Sequence, residues 1–283
     1  MKGKDNDSRL FVRALGRGLS VIRSFTSESP YQTLAEIASK TSMDRASARR
    51  MLHTLESLGY VKSEGRNFRL TALVLDLGYR YLAALPFWSV AEPVMEELTK
   101  AVNESSTAAV LDGTDIVFVV EAPIQKIMTI RLGVGARLPA YCTSLGRVLL
   151  GALSEQELDR VLHRSNLKRY TEHTVTSISE LKRIVRRDHE RGWSIVCDEL
   201  EQGLCAIAVP VIDDANRTIA AVNIHVLNRP SKKLVSEVLP HLQRAAEAIQ
   251  SLLRNRGIGR GRYLSVSAIR PESSIKNPSE VSP

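Results

Sequence analysis

Apolar residues in the first seventy positions of the chain recur at helical spacing in short stretches. Leu15, Leu19 and Ile22 follow one another at intervals of four and three residues, the spacing of one buried helical face. Further along, Thr33 and Glu36 have the spacing of a capping box, which predicts the start of a second, short helix. These patterns predict two helices joined by a loop.

The next stretch predicts a third helix with two different faces. Its inner face is apolar, and the helix is predicted to end near Gly59, a residue suited to the left-handed conformation that follows many helices. Its outer face carries cationic and hydroxyl side chains. The inner residues are Ala48, Met51, Leu52 and Leu55, and the outer ones are Arg45, Ser47, Arg49, Arg50 and His53.

Two short helices joined by a tight turn, the second with a cationic face, are typical of a unit that enters the major groove of DNA. Residues 60–70 predict a hairpin that turns at Glu64-Gly65 and carries basic side chains outward, as a wing does. An ordinary three-helix domain with a solvated basic face is the alternative. The predicted DNA-contacting residues are Arg45, Ser47, Arg49, Arg50, Lys62 and Arg66.

The stretch from Thr71 to Leu85 is apolar on more than one side, and Pro86 ends it. A helix with so few polar positions must bury more than one stripe. Packing against a second copy of the chain and packing against the second domain of the same chain both satisfy this requirement.

Residues 87–253 alternate strand-like and helical stretches. A hairpin is predicted to turn at Asp112-Gly113, and Asp213 to Asn216 supply a second turn. Hairpins mixed with helices indicate an α+β fold with an antiparallel sheet covered mainly on one face. Strands are predicted at 107–111, 116–120, 128–132, 194–196, 206–212 and 219–226, and helices near 87–103, 144–153, 154–163, 179–191 and 231–253.

Charge is concentrated at the two ends of the chain. The net charge is +8, with +6 in residues 1–85, −2 in 86–253 and +4 in 254–283. With 43% hydrophobic residues the chain can bury a core. It has no apolar run near the ~20 residues that cross a bilayer and no secretion signal, so we expect a cytoplasmic protein without a membrane partner.

Motifs of catalysis and metal binding are absent from the sequence. GxSxG, HExxH and phosphate-loop patterns do not occur, and the six His show no helical pairing, so we expect no catalytic residues, no metal and no cofactor. Cys142, Cys197 and Cys205 have no CxxC spacing and are predicted to be free thiols. Non-specific RNA binding is disfavoured because only 5% of the residues are aromatic.

Small and polar residues in the second domain indicate a binding site instead. Thr143 and Ser144 lead into a predicted helix, whose free N–H groups favour an anion such as a carboxylate. Asn223 and His225 alternate along a strand and therefore share one face. That face is either exposed to solvent or lines a cavity.

The chain resembles the IclR family of bacterial transcriptional regulators from Leu10 to about Leu253. The resemblance lies in ALGRGLSVIRSF, RASARRMLHTLESLGYV, GVGARLPAYCTSLGRVLLG, and DELEQGLCAIAVPV followed by AAVNIHV. It is closest to the branch that contains PcaR, PcaU and PobR, which control aromatic-acid catabolism. Ala206 and Cys197 depart from the family pattern, which has a thiol or hydroxyl at the first position and often an acid at the second.

The resemblance implies a domain order and an effector site. We expect a winged helix-turn-helix domain at 8–70, a linker helix at 71–86, a GAF-like effector-binding domain at 87–254 and a disordered basic tail at 255–283. The implied partners are operator DNA, a small aromatic or dicarboxylic acid, and a second copy of the chain in a dimer or tetramer. The implied effector-binding residues are Thr143, Ser144, Leu145, Asn223 and His225.

The sequence therefore predicts an effector-responsive DNA-binding transcriptional regulator of aromatic-acid catabolic genes of the β-ketoadipate type. The alternative is an enzyme of small-molecule metabolism that carries a basic N-terminal module.

Overall fold

The computed structural model describes residues 11–26, 28–83, 86–124, 133–228 and 230–255. The chain divides into two compact units, of which the first runs to Tyr81 and the second begins at Leu82. None of the helices in these ranges is both long enough and apolar enough to cross a membrane. The predicted basic tail lies outside the described residues except for its first position, and the domain boundaries given above stay predictions.

The first unit contains helices and a small antiparallel sheet. The helices are α1 (Arg13–Ser24), α2 (Leu34–Lys40), α3 (Arg45–Ser57) and α4 (Val74–Ala83), the last of which reaches across the unit boundary. The strands are β1 (Gln32–Thr33), β2 (Val61–Glu64) and β3 (Asn67–Leu70), in the order β1-β3-β2. The predicted helices and hairpin are thus confirmed, whereas β1 was not predicted.

Side-chain caps explain where the helices of the first unit begin. The Thr33 hydroxyl accepts from the N–H of Glu36 at 3.3 Å, and the Glu36 carboxylate accepts from the N–H of Thr33 at 2.7 Å, so the predicted capping box is confirmed. At the start of α3 the Asp44 carboxylate accepts from the N–H of Ser47 at 2.7 Å. These caps satisfy N–H groups that have no acceptor within their own helix.

The core of the first unit differs from the prediction at α1. Leu15 and Leu19 are 65% and 47% exposed, while Val21 is fully buried. The prediction that Leu15 and Leu19 lie on a buried face is therefore wrong for the single chain. Helical spacing shows that two residues share a face, but it does not show which other element covers that face.

The second unit contains a six-stranded antiparallel sheet with helices, which confirms the α+β class. The sheet order is β6-β5-β4-β9-β8-β7. Its strands are β4 (Ser106–Asp112), β5 (Asp115–Ala122), β6 (Arg137–Pro139), β7 (Ser194–Cys197), β8 (Leu204–Ile212) and β9 (Thr218–Leu227). Its helices are α5 (Pro86–Val102), α6 (Ser144–Gly151), α7 (Glu155–Arg164), α8 (Ile178–Arg191), α9 (Ser231–Lys233), a π-helical turn (Leu234–Val238) and α10 (Leu239–Asn255). The strand predicted at 128–132 lies outside the described residues, and β6 was not predicted.

Helices cover both faces of this sheet. On one face Val222 of β9 lies in a cluster with residues of α5 and α10. On the other face Ala221 lies in a cluster with residues of α6, α7 and α8. The prediction of a sheet covered mainly on one face is therefore wrong, because successive residues of the central strands point to opposite sides and both sides are buried.

The free-thiol prediction is wrong for two of the three cysteines. Cys197 at the end of β7 lies directly opposite Cys205 of β8, and the two form a disulfide across the strands. Cys142 is free and buried. Strand pairing brings together residues eight positions apart, which the absence of a CxxC motif does not reveal.

Candidate functional site

The outward face of α3 carries three of the predicted DNA-contacting cations. Arg45, Arg49 and Arg50 are exposed, and Arg45 and Arg49 form no ion pair with any described residue. Arg50 donates from Nη2 to the Ser47 hydroxyl at 3.4 Å. The inner side of the helix packs through Ala48, Leu52 and Leu55, so the guanidinium groups face away from the core of their own unit.

Ser47 is placed differently from the prediction. It was expected on the outer face of α3, but it is only 4% exposed. Its N–H is bonded to the Asp44 cap, which sets the first turn of the helix with the Ser47 side chain turned inward. Ser47 therefore supports Arg50 rather than presenting its own hydroxyl to a ligand.

The hairpin of β2 and β3 presents the other two predicted cations. Lys62 and Arg66 are exposed, and the turn between the strands contains Gly65 at φ +65°, where a glycine is favoured. Arg69, which was expected to face outward, instead forms an ion pair with Glu64 at 2.7 Å. The hairpin thus keeps two basic groups at its tip and first strand free to meet a polyanion.

Glu56 joins this hairpin to α3. Its carboxylate accepts from the hydroxyl of Ser63 at 2.5 Å and from the N–H of Ser63 at 2.8 Å. These hydrogen bonds hold the pKa of Glu56 below its ordinary value because they favour the charged carboxylate. The sequence analysis missed this residue, since only the folded hairpin brings positions 56 and 63 together.

The second predicted site lies on the α6 side of the large sheet. Asn223 is 6% exposed, and its Oδ1 accepts from the Thr107 hydroxyl of β4 at 2.5 Å. His225, two residues along the same strand, is half-buried and lies opposite Ala206 of β8. The structure therefore excludes the solvent-facing alternative for Asn223. Thr107 is a further polar group on this face that sequence reasoning missed.

The start of α6 brings the other predicted effector residues to this same side of the sheet. Thr143 is the N-cap, and its hydroxyl accepts from the N–H of Gly146 at 3.2 Å. Leu145 is buried in the cluster that contains Ala208 and Ala221 of the sheet. Ser144 is 1% exposed, and its Oγ has no hydrogen-bond partner among the residues that the structure describes.

Gly146 explains how closely this helix approaches the preceding chain. A Cβ atom at position 146 would lie 2.0 Å from the carbonyl oxygen of Ala140, a distance that no side chain tolerates. A glycine at this position allows the segment before α6 to fold back over the first turn. The segment therefore packs closely against the first turn of α6, where the buried Ser144 lies.

The ionisation of nearby groups favours binding over nucleophilic catalysis. Burial lowers the pKa of His225, although the Glu104 carboxylate partly opposes this shift, so the imidazole is neutral at pH 7. Burial and then the charge of Glu199 raise the pKa of the Cys142 thiol to about 12. A thiol with such a pKa is protonated at neutral pH and is a poor nucleophile. No cluster of three metal-binding side chains occurs among the described residues.

Two features define the class of protein. One unit has an exposed cationic helix with a wing, and the other has a buried polar cluster on a helix-covered sheet. They are the two parts of a DNA-binding transcriptional regulator that responds to a small molecule. Two family domains match the chain. The IclR helix-turn-helix domain matches residues 14–65, and the bacterial transcriptional regulator IclR C-terminal domain matches residues 79–251. The chain belongs to the IclR family, which confirms the resemblance, and it is a regulator rather than an enzyme.

Individual relatives agree with this assignment. The chain is 38% identical over 239 residues to the Pca regulon regulatory protein of Pseudomonas putida. The matched region is 83% of this chain and 82% of that protein. It is similar to the crystal structure of a transcriptional regulator from Rhodococcus, with a TM-score of 0.78 and 42% identity over 87% of this chain and all of that one. It is also similar to an IclR homologue from Microbacterium hydrocarbonoxydans complexed with 4-hydroxybenzoate, with a TM-score of 0.77 and 25% identity over 86% and 99% of the two chains.

Proposed function

We propose that this regulator binds operator DNA in the cytoplasm and that a small aromatic acid bound at the start of α6 controls it. The buried, unpartnered Ser144 hydroxyl carries the proposal. A buried polar group without a hydrogen bond costs roughly 1 to 3 kcal/mol, which a bound ligand can recover. The named relatives support an aromatic acid, since one regulates the Pca regulon and another holds 4-hydroxybenzoate.

The arrangement of the site suits an acid with an aromatic ring. The N–H groups at the first turn of α6 and the Ser144 hydroxyl can donate to a carboxylate. Leu145 offers an apolar surface to the ring. Asn223 and neutral His225 can exchange hydrogen bonds with a polar substituent on the far side of the ring. These assignments use the five effector-binding residues that the sequence predicted, with Thr143 acting as the cap of the helix.

On the DNA side, we propose that α3 enters the major groove through Arg45, Arg49 and Arg50. Lys62 and Arg66 of the hairpin then contact the phosphate backbone or the minor groove. Ser47 was also predicted to contact DNA, but its side chain is buried. We propose that it acts through Arg50 instead. The proposal of operator binding fails if the full chain protects no fragment of the DNA upstream of its own gene in footprinting.

Replacing Arg49 with Ala should weaken operator binding by about 1 to 3 kcal/mol, because the lost guanidinium is the type of group that holds a guanine edge. A gel-shift titration with the footprinted fragment measures the change. Arg164→Ala removes an exposed arginine from α7 of the second unit and serves as the matched control, with affinity unchanged. Equal operator affinities of the Arg49→Ala and unmodified proteins would contradict the proposal that α3 enters the major groove.

We also propose that two copies of the chain associate through the first unit. Helix α1 exposes Leu15 and Leu19, and helix α4 exposes Leu75 and Tyr79, the latter two at 73% and 60%. Such exposed apolar faces are typical of surfaces that a partner covers. A dimer also suits DNA recognition, because half-sites are repeated at a spacing that one helix cannot span.

Sedimentation velocity should therefore give a particle of at least twice the mass of the chain. Tyr79→Glu places a charge on the exposed side of α4 and should shift the protein toward the monomer. Leu58→Glu changes an apolar residue that is 59% exposed but lies at the end of α3, and it should leave the assembly intact. A Tyr79→Glu protein that sediments like the unmodified protein would show that α4 is not part of the interface.

A further inference from the structure

A buried ion pair lies next to the proposed effector site. Arg147 of α6 and Glu199, in the loop after β7, are 3% and 8% exposed, and the guanidinium Nη2 lies 2.7 Å from the Glu199 Oε1. Arg147 also donates from Nε to the backbone oxygen of Tyr141 at 3.1 Å. Burying two charges is costly unless further hydrogen bonds complete their coordination, so such a pair is a poor source of stability by itself.

Glu199 is also the point at which two loops meet. Its Oε2 accepts from the N–H of Val175 at 3.2 Å, and its backbone oxygen accepts from the Thr174 hydroxyl at 2.6 Å. One residue earlier, the oxygen of Asp198 accepts from the Thr171 hydroxyl at 2.5 Å. The loop 165–177 between α7 and α8 is thereby joined to the loop 198–203 between β7 and β8.

Both loops are tied back to the start of α6. The Tyr141 hydroxyl donates to the backbone oxygen of Lys168 at 2.5 Å, and the Arg147 guanidinium holds Glu199. Tyr141 and Arg147 stand on either side of Ser144 in the chain. A groove of about 410 Å³ runs between residues 170–173 and 200–202, so its two walls come from the loops that the ion pair holds together.

We propose that Arg147 and Glu199 are positioning residues for effector binding. The pair keeps the two loops closed over the first turn of α6, so that the Ser144 hydroxyl meets the ligand in a dry, fixed setting. For this role the negative charge of the Glu199 side chain matters more than its shape. A neutral residue at position 199 leaves Arg147 buried without a counterion, and the loops must separate to let water reach it. This inference rests on the proposed function, because it assigns a role in the same site.

Glu199→Gln, made in the whole 283-residue chain, tests the proposal. The amide keeps an oxygen that can accept from Val175 but removes the charge. Titration calorimetry with 4-hydroxybenzoate should show a Kd at least ~10-fold higher than that of the unmodified protein, on the scale expected for a hydrogen bond to a charged group. Operator affinity without the acid should not change. Asp159→Asn breaks the partly exposed pair with Lys182 in the same unit and should leave both affinities as they were.

Hydrogen exchange separates a positioning role from general destabilisation. In Glu199→Gln the amides of 165–177 and 198–203 should exchange faster, while those of the central strands β4 and β9 keep their rates. Arg147→Lys keeps the charge but cannot hold both Tyr141 and Glu199, so its Kd should be higher than that of the unmodified protein, and an unchanged Kd would overturn the positioning role. This variant also decides the question if Glu199→Gln does not fold.

The outcomes distinguish the two proposals. If the unmodified protein binds no aromatic acid, the proposed function fails, and the positioning role is judged by loop exchange alone. If it binds the acid and Glu199→Gln binds equally well, the proposed function stands and the positioning role is overturned. Unchanged loop exchange in Glu199→Gln would overturn the positioning role in either case.

Discussion

Ser144→Leu should abolish the response to the effector while operator binding stays intact. The Ser144 hydroxyl is buried and unpartnered at the start of α6, on the side of the sheet that carries Asn223. A leucine removes the donor and adds bulk at the position where we propose that the ligand binds. The expected loss in acid affinity exceeds ~100-fold, because the missing charge-assisted hydrogen bond and the steric conflict both act against the ligand. A reporter gene under the operator measures the response, and a gel shift measures DNA binding.

Two further variants make this prediction specific. Ser144→Ala removes the hydroxyl without adding volume, and it should weaken acid binding about 10-fold without abolishing the response. Ser179→Leu introduces the same side chain at an exposed position in the first turn of α8 and should behave like the unmodified protein. A full effector response in Ser144→Leu would show that the ligand does not bind at the start of α6.

Asp188→Ala should be among the most destabilising single changes in the second unit. The Asp188 side chain is fully buried, and one oxygen accepts from the Ser194 hydroxyl at 2.6 Å. The other oxygen lies 2.8 Å from the guanidinium of Arg187 and 2.9 Å from that of Arg191. Removing the carboxylate leaves the buried Ser194 hydroxyl without its acceptor and the partly buried Arg191 guanidinium without its counterion. Because both arginines keep some access to water, we expect a loss of ~2 to 3 kcal/mol in the free energy of unfolding.

Calorimetry of the full chain measures this loss as a lower Tm. Asp159→Ala is the matched control, since Asp159 forms an ion pair with Lys182 at 2.9 Å but is 44% exposed. Solvent screens such a pair, so the control should keep the Tm of the unmodified protein. Similar Tm values for Asp188→Ala and Asp159→Ala would contradict the role given to the buried carboxylate.

Local sequence patterns were sufficient for most of the helices and strands, but not for β1 and β6. The capping box at Thr33 and Glu36, the apolar face of α3 and the left-handed glycine at 59 each depend on residues within a few positions of one another. Helical and strand periodicity is likewise a local property. Hairpins mixed with helices indicated the α+β class, and the resemblance to the IclR family, which rested on contiguous motifs, supplied the regulatory function.

Contacts between distant segments decided which side chains are buried and which are paired, and they corrected several predictions made from the sequence. Leu15 and Leu19 are exposed because no element of the single chain covers them, and Ser47 is buried because its cap turns it inward. Cys197 and Cys205 meet through strand pairing.

The same holds for the candidate effector site. Residues 141–147, the loop at 199 and strand β9 are far apart in the chain, and folding alone brings them to one face of the sheet. Spacing along the chain encodes which face a residue shares with its neighbours. It does not encode what packs against that face, and burial, pairing and charge compensation all depend on the packing partner.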